Sequence, residues 1–73
     1  MPKLPALSGP ELIKILERKG YVQARTRGSH VRLYPLDFLA QAKKVTVPLH
    51  KQLKTGTLLG IMKDTGLTPE ELK

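Results

Sequence analysis

Apolar residues along this chain keep two different periods. Between Ser8 and Gly20 they fall at Leu12, Ile13, Ile15 and Leu16, a broad stripe at helical spacing, while Glu11, Lys14, Glu17 and Arg18 cover much of the remaining surface. Ser8-Gly9-Pro10-Glu11 has the form of a capping box, in which a serine hydroxyl and a glutamate three residues on satisfy free amides of the first turn. Gly20 can take the left-handed conformation that ends a helix. The pattern predicts a first helix at about residues 9–18.

From Tyr21 the period drops to two. Val22, Ala24 and Thr26 alternate with Tyr21, Gln23 and Arg25, as in a strand with one wet face. Arg27-Gly28-Ser29 reads as a hairpin turn. A second strand over 30–34 then puts Val31 and Leu33 on one side and His30, Arg32 and Tyr34 on the other, and Pro35 stops it. Leu36 to Ala42 is too apolar for a free loop and is expected to be a packed connection. Lys44-Val45-Thr46-Val47 reads as a third strand with both valines inward, ended by Pro48. Thr55-Gly56-Thr57 offers a cap for a second helix carrying Leu58, Leu59, Ile61 and Met62 as far as Gly66. Thr68-Pro69-Glu70-Glu71 repeats the capping logic for a short third helix.

The order helix, three strands, helix, short helix is α+β: a three-stranded antiparallel sheet with two helices packed on one face. Those helices are needed to cover Val22, Val31, Leu33, Val45 and Val47, and they leave the other face of the sheet open. The open face is expected to carry Gln23, Arg25, His30, Arg32, Tyr34, Lys44 and Thr46. A chain of 73 residues supports a single core, so residues 1–73 are read as one domain.

Composition sharpens this reading. The chain has no cysteine, which removes disulfides, thiolate metal sites and cysteine nucleophiles together and suits a reducing cytosol. Neither a signal peptide nor a run of about 20 apolar residues is present, so the expected location is cytoplasmic. Net charge is +7, and its distribution says more than its total. Arg18 to Lys54 holds nine basic residues against the single acid Asp37, a net of +8, which leaves the rest of the chain at −1. Charge concentrated in this way argues for a polyanionic partner, most often nucleic acid. Membrane binding is not expected, because the basic residues fall on strands and loops rather than on an amphipathic helix.

The chemistry converges on Gly28-Ser29-His30, which places one of two histidines at a turn exit among Arg25, Arg27 and Arg32. RNA carries its own nucleophile, the 2′-hydroxyl. Its cleavage needs a group to take that proton, a group to protonate the leaving oxygen and cations for the charge on phosphorus. An imidazole titrating near neutrality suits either proton transfer, and guanidinium groups suit the charge. Arg25, Arg27, Arg32, Lys44, Lys51 and Lys54 are the candidate RNA contacts. Tyr34, Lys44 and His50 are the candidates for a second acid or base. On structural grounds alone Gly28 and Ser29 are turn residues and the arginines a solvated face. Two histidines twenty residues apart without a carboxylate cluster make a poor metal site, and no phosphate-binding glycine loop is present.

Several segments in order match a known family. The Leu-Ser-Gly-Pro-Glu-Leu-Ile helix start, Lys19-Gly20-Tyr21, the Gly28-Ser29-His30 turn, Val45-Thr46-Val47-Pro48-Leu49-His50, Lys54-Thr55-Gly56-Thr57-Leu58, Ile61 and Gly66-Leu67 together resemble the HicA toxins, or YcfA-like family, over about residues 7–72. The resemblance implies a fold like that of double-stranded-RNA-binding domains, α-β-β-β-α. It also implies the toxin of a type II toxin-antitoxin pair, an endoribonuclease that cleaves mRNA without a metal or other cofactor and is held inactive by a HicB-like antitoxin. By the same carry-over His30 is the catalytic histidine and Gly28 shapes its turn. His50 falls on a family position where packing beside Pro48 is the expected role. The longer apolar segment 36–42 departs from many relatives. A non-catalytic RNA-binding module of the same fold is the main alternative. A protein-interaction domain with an acidic partner is the other.

Overall fold

The computed structural model of this chain describes residues 4–36 and 43–72. Its elements are helix α1 (Gly9–Lys19), strands β1 (Tyr21–Arg27), β2 (His30–Pro35) and β3 (Val45–Pro48), helix α2 (Thr55–Thr65) and a 3₁₀ turn (Pro69–Leu72). The strands form an antiparallel sheet in the order β1-β2-β3, so β2 is central. The α+β order read from the sequence is therefore the order observed, with one difference in kind: the short last helix is a 3₁₀ turn. Of the packed connection expected over residues 36–42, Leu36 is exposed and the remainder lies outside the described residues.

Helix α1 begins as its capping box dictates. The Ser8 amide donates to Glu11 Oε1 at 2.9 Å, and the Glu11 amide donates to Ser8 Oγ at 3.2 Å. Gly20 closes the helix at φ 118°, its N–H donating to the Leu16 and Glu17 carbonyls. The apolar stripe of α1 (Leu12, Ile13, Ile15, Leu16) is buried, together with Gly9. Gly9 is buried by necessity, because a Cβ there would run into the Pro48 carbonyl, and its N–H donates to the His50 carbonyl at 2.9 Å. The start of α1 is thus sewn to the exit of β3.

Helix α2 starts differently from the expectation. Thr55 is its first residue and Lys54 its N-cap, with no side chain satisfying the first turn. Leu53 fixes this start: it is buried, and its N–H donates to the Leu7 carbonyl at 2.8 Å, which leaves Lys54 as the turning residue. Leu58, Ile61 and Met62 join the core, whereas Leu59 stays outside. The buried Thr65 hydroxyl donates to the Ile61 carbonyl at 2.7 Å, and among the described residues no buried side-chain nitrogen or oxygen lacks a partner.

Both helices pack on one face of the sheet, α1 on β1 and β3 and α2 on β3. They enclose Val31, Leu33, Val45 and Val47 with Leu12, Leu16, Leu53, Leu58, Leu67 and Leu72. The alternation in β1 departs from the simple reading. Tyr21, expected on the wet face, is 2% exposed, and Val22, expected in the core, is 44% exposed. The Tyr21 hydroxyl supplies the reason for its burial, since it donates to the Lys43 carbonyl at 2.7 Å and so stays paired inside the fold. Burial, helped by the charge of Asp64, raises the Tyr21 phenol above its ordinary value of 10.0.

Candidate functional site

Pairing across the sheet defines what stands on its open face. Val22 opposes Tyr34 and Gln23 opposes Leu33, then the register slips, and Arg25 opposes Arg32, Thr26 opposes Val31 and Arg27 opposes His30. Ala24 is left without a partner, which is a β-bulge. Because Leu33 is buried, Gln23 faces the helices and not the open side, and its amide reaches Glu17 of α1 at 3.4 Å. Beyond the bulge the parity inverts. Arg25 and Arg27 therefore come out beside Arg32 and His30.

On β3, Thr46 opposes Arg32 and Pro48 opposes His30. The open face is therefore a ladder of three rows. Arg27, His30 and Pro48 make the row at the hairpin end; Arg25, Arg32 and Thr46 make the middle row; Val22 and Tyr34 make the far row. Lys44, just ahead of β3, completes that far row with its ammonium 5.6 Å from the centre of the Tyr34 ring. Successive rows are about 7 Å apart, two residues of strand rise.

The hairpin that presents His30 has a two-residue turn, Gly28-Ser29, with Arg27 already in the strand. Gly28 sits at φ 60°, and among the described residues only glycines have positive φ, so the turn has the glycine-first form that suits right-twisted strands. The Ser29 carbonyl accepts from the Leu49 N–H at 2.7 Å, and the next residue, His50, is held through its own carbonyl by Gly9. The turn before His30 is in this way tied through the loop after β3 to the start of α1. His30, Arg25, Arg27, Arg32 and Lys44 are all exposed to solvent.

The structure brings together five of the residues singled out in the sequence, His30 with Arg25, Arg27, Arg32 and, at the far end, Lys44. Lys51, Lys54 and His50 are also exposed but belong to the segment between β3 and α2 rather than to the sheet ladder. Tyr34 shares the face of His30 but lies four residues along β2, about 13 Å away. That separation keeps the two from sharing one phosphodiester. Among the described residues no three of His, Asp and Glu gather where a metal ion could be held.

A family model described as the HicA toxin of bacterial toxin-antitoxin systems matches residues 9–67, most of the chain. The chain belongs to the HicA toxin family. No curated protein matches it. Membership makes the chain the toxin of a bacterial toxin-antitoxin pair, and the match runs from the first residue of α1 to just past α2, taking in the whole open face. No helix of the described residues is long and apolar enough to cross a membrane.

Two features that shape this HicA face are not legible in the sequence. Val22 stands on it and Gln23 does not, because a bulge leaves no contiguous pattern to read. Gly9 is the second, since nothing local announces that its missing Cβ makes room for Pro48.

Proposed function

We propose that this HicA-family toxin is an endoribonuclease that cleaves mRNA, with His30 as general acid or base and the open sheet face binding the phosphates. The observation that carries the reading is the cross-strand pair Arg27 and His30, solvent-exposed at the hairpin end, with Arg25 and Arg32 directly opposed in the next row. Two guanidinium groups placed opposite one another repel, and a phosphate lying between them would relieve that repulsion. A phosphodiester between the two rows would meet cations on both strands and an imidazole at its edge. The 2′-hydroxyl is the nucleophile, His30 takes or returns a proton, and the arginines stabilise the charge on phosphorus.

In this reading the chemistry needs no metal, as expected of a site built from imidazole and guanidinium groups. Gly28 and Ser29 position His30 through the turn. Lys51 and Lys54, in the loop leading into α2, extend the phosphate track, and His50, whose backbone is fixed beside the turn, is the candidate for the second acid or base. Residues 1–73 act as one domain in the cytoplasm, and a HicB-like antitoxin silences the toxin by covering the open face.

Purified protein should cleave RNA in the presence of a chelator, and His30→Ala should not. Full activity in that variant would end the assignment of His30. RNA bound tightly by the parent protein but never cut would favour a binding module of the same fold.

A further inference from the structure

The far row of the open face has a composition unlike the other two. Val22 and Tyr34, both with much of their surface in water, stand side by side across β1 and β2, and exposed Leu36 follows two residues after Tyr34. Three of the five large apolar side chains that the described residues leave exposed are thus gathered at this end. Tyr34 and Pro35 line a shallow hollow together with Lys43 and Lys44. An aromatic ring with an apolar neighbour and two flexible cations is a platform of the kind on which unpaired bases stack while their phosphates are neutralised.

We infer that this hollow is a stacking subsite for an unpaired nucleotide of the RNA, which rests on the proposed ribonuclease reading and gives it a substrate class. The base lies on the Tyr34 ring beside Pro35, and the adjoining phosphate takes Lys44 and Lys43. The present contact of Lys44 with the ring is the resting arrangement. An exposed cation-π contact is weaker than a base stacked on an aromatic ring, so the ammonium gives way to the base and turns to the phosphate. Counted along β2, the Arg25 and Arg32 row lies one step from this subsite and the His30 row two steps. With rows about 7 Å apart, close to the spacing of successive phosphates in an extended strand, one nucleotide fits each row. A base inside a duplex is already stacked on its neighbours and cannot reach the ring. The substrate is therefore single-stranded about two nucleotides from the bond that is cut.

The test uses the full chain carrying His30→Ala, so that RNA is bound and not cut, and a labelled single-stranded oligoribonucleotide followed by anisotropy. Adding Tyr34→Ala should weaken binding roughly ten- to a hundredfold, Tyr34→Phe should restore it, and binding of the same sequence as a duplex should not change with either variant. The chain has no tryptophan and its other tyrosine, Tyr21, is buried, so tyrosine emission should be quenched by the single strand. The quenching should vanish in Tyr34→Phe even though binding persists. Unchanged single-strand affinity in Tyr34→Ala would overturn the inference, as would an equal loss on duplex. So would intact RNA affinity combined with failure to bind the purified antitoxin, which would make the hollow a protein-docking site. Absence of cleavage by the parent protein would count against the ribonuclease reading alone, since the binding readout does not depend on it.

Discussion

Tyr21 and Arg25 are four residues apart on one strand, yet they lie on opposite faces of the sheet. Tyr21 is paired with Pro35 on the helix side, and Arg25 with Arg32 on the open side. An unbroken strand would put both on one face. The extra residue Ala24 lets the protein bury a large aromatic at the start of β1 and still deliver two arginines beside His30. Deleting Ala24 forces a choice between burying Arg25 and expelling Tyr21, and should lower stability by about 3 kcal/mol or more in urea unfolding. Ala24→Ser, which keeps the count, should stay within about 0.5 kcal/mol of the parent. A deletion variant as stable as the parent would show that the bulge carries no such role.

The directly opposed pair Arg25 and Arg32 sets function against stability. Like charges facing each other across two strands are destabilising by roughly 0.2–1 kcal/mol. Arg25→Thr should therefore raise the melting temperature, by up to about 4–8 °C for each kcal/mol gained in a domain of this size. The same substitution should weaken RNA binding and make the logarithmic salt dependence shallower, by about 0.7 for each phosphate of a single strand that is no longer neutralised. A lower melting temperature would mean that the two guanidinium groups are already neutralised within the fold.

How far this architecture can be read from the sequence depends on whether a signal is local. The capping box at Ser8, the stop at Gly20 and the turn at Gly28 act within four residues, and each stands where the pattern puts it. The alternation in β2 is clean because both flanking strands pair with it, so His30, Arg32 and Tyr34 fall on the open face as the period demands. Tyr21, Val22 and Gln23 are the residues whose faces hydropathy gets wrong. It sends a valine inward and tolerates a tyrosine outside, whereas the buried phenol is satisfied by a carbonyl 22 positions away. The start of α2 departs from the pattern for a similar reason. Thr55 is a good cap by composition, but the tie from Leu53 to Leu7, across most of the molecule in sequence, sets the boundary one residue earlier.

Gly9 and Gly28 both resist substitution, for opposite physical reasons. At Gly28 an added Cβ meets nothing within 4 Å, and the obstacle is the backbone at φ 60°. Gly28→Ala should cost about 1–2 kcal/mol, and Gly28→Asn less, since asparagine tolerates that conformation. At Gly9 the helical backbone is ordinary and the obstacle is the Pro48 carbonyl. Gly9→Ala should cost about 1–3 kcal/mol by overpacking, with no relief from asparagine. Because Pro48 opposes His30, Gly9→Ala should also lower the RNA cleavage rate beyond what its stability loss explains. Equal responses of the two sites to Ala and Asn would refute the distinction.

Acid should loosen the chain at two named carboxylates. The Glu11 carboxyl is held below its ordinary 4.5 by the Ser8 amide and then the Ser8 hydroxyl, and that of Glu71 by the Thr68 amide and then Lys19, whose ammonium lies 3.1 Å away. A carboxyl lowered in the folded state stabilises it above the unfolded value, and that stability is lost as pH falls through the folded value. Urea midpoints should therefore hold steady near neutrality and decline below about pH 4.5. Glutamine can still accept the amide hydrogen bond of a capping box but does not titrate. Glu11→Gln and Glu71→Gln should each flatten the acid decline, and Glu71→Gln should also lose up to about 1 kcal/mol at neutral pH with its ion pair. The alkaline side runs the other way. Buried Tyr21 is raised above 10.0, so stability is complete below that value and falls as pH climbs past it. Tyr21→Phe should remove this alkaline decline while lowering stability at neutral pH by about 1–3 kcal/mol, because the Lys43 carbonyl loses its donor. An alkaline decline that survives in Tyr21→Phe would assign it to some other group.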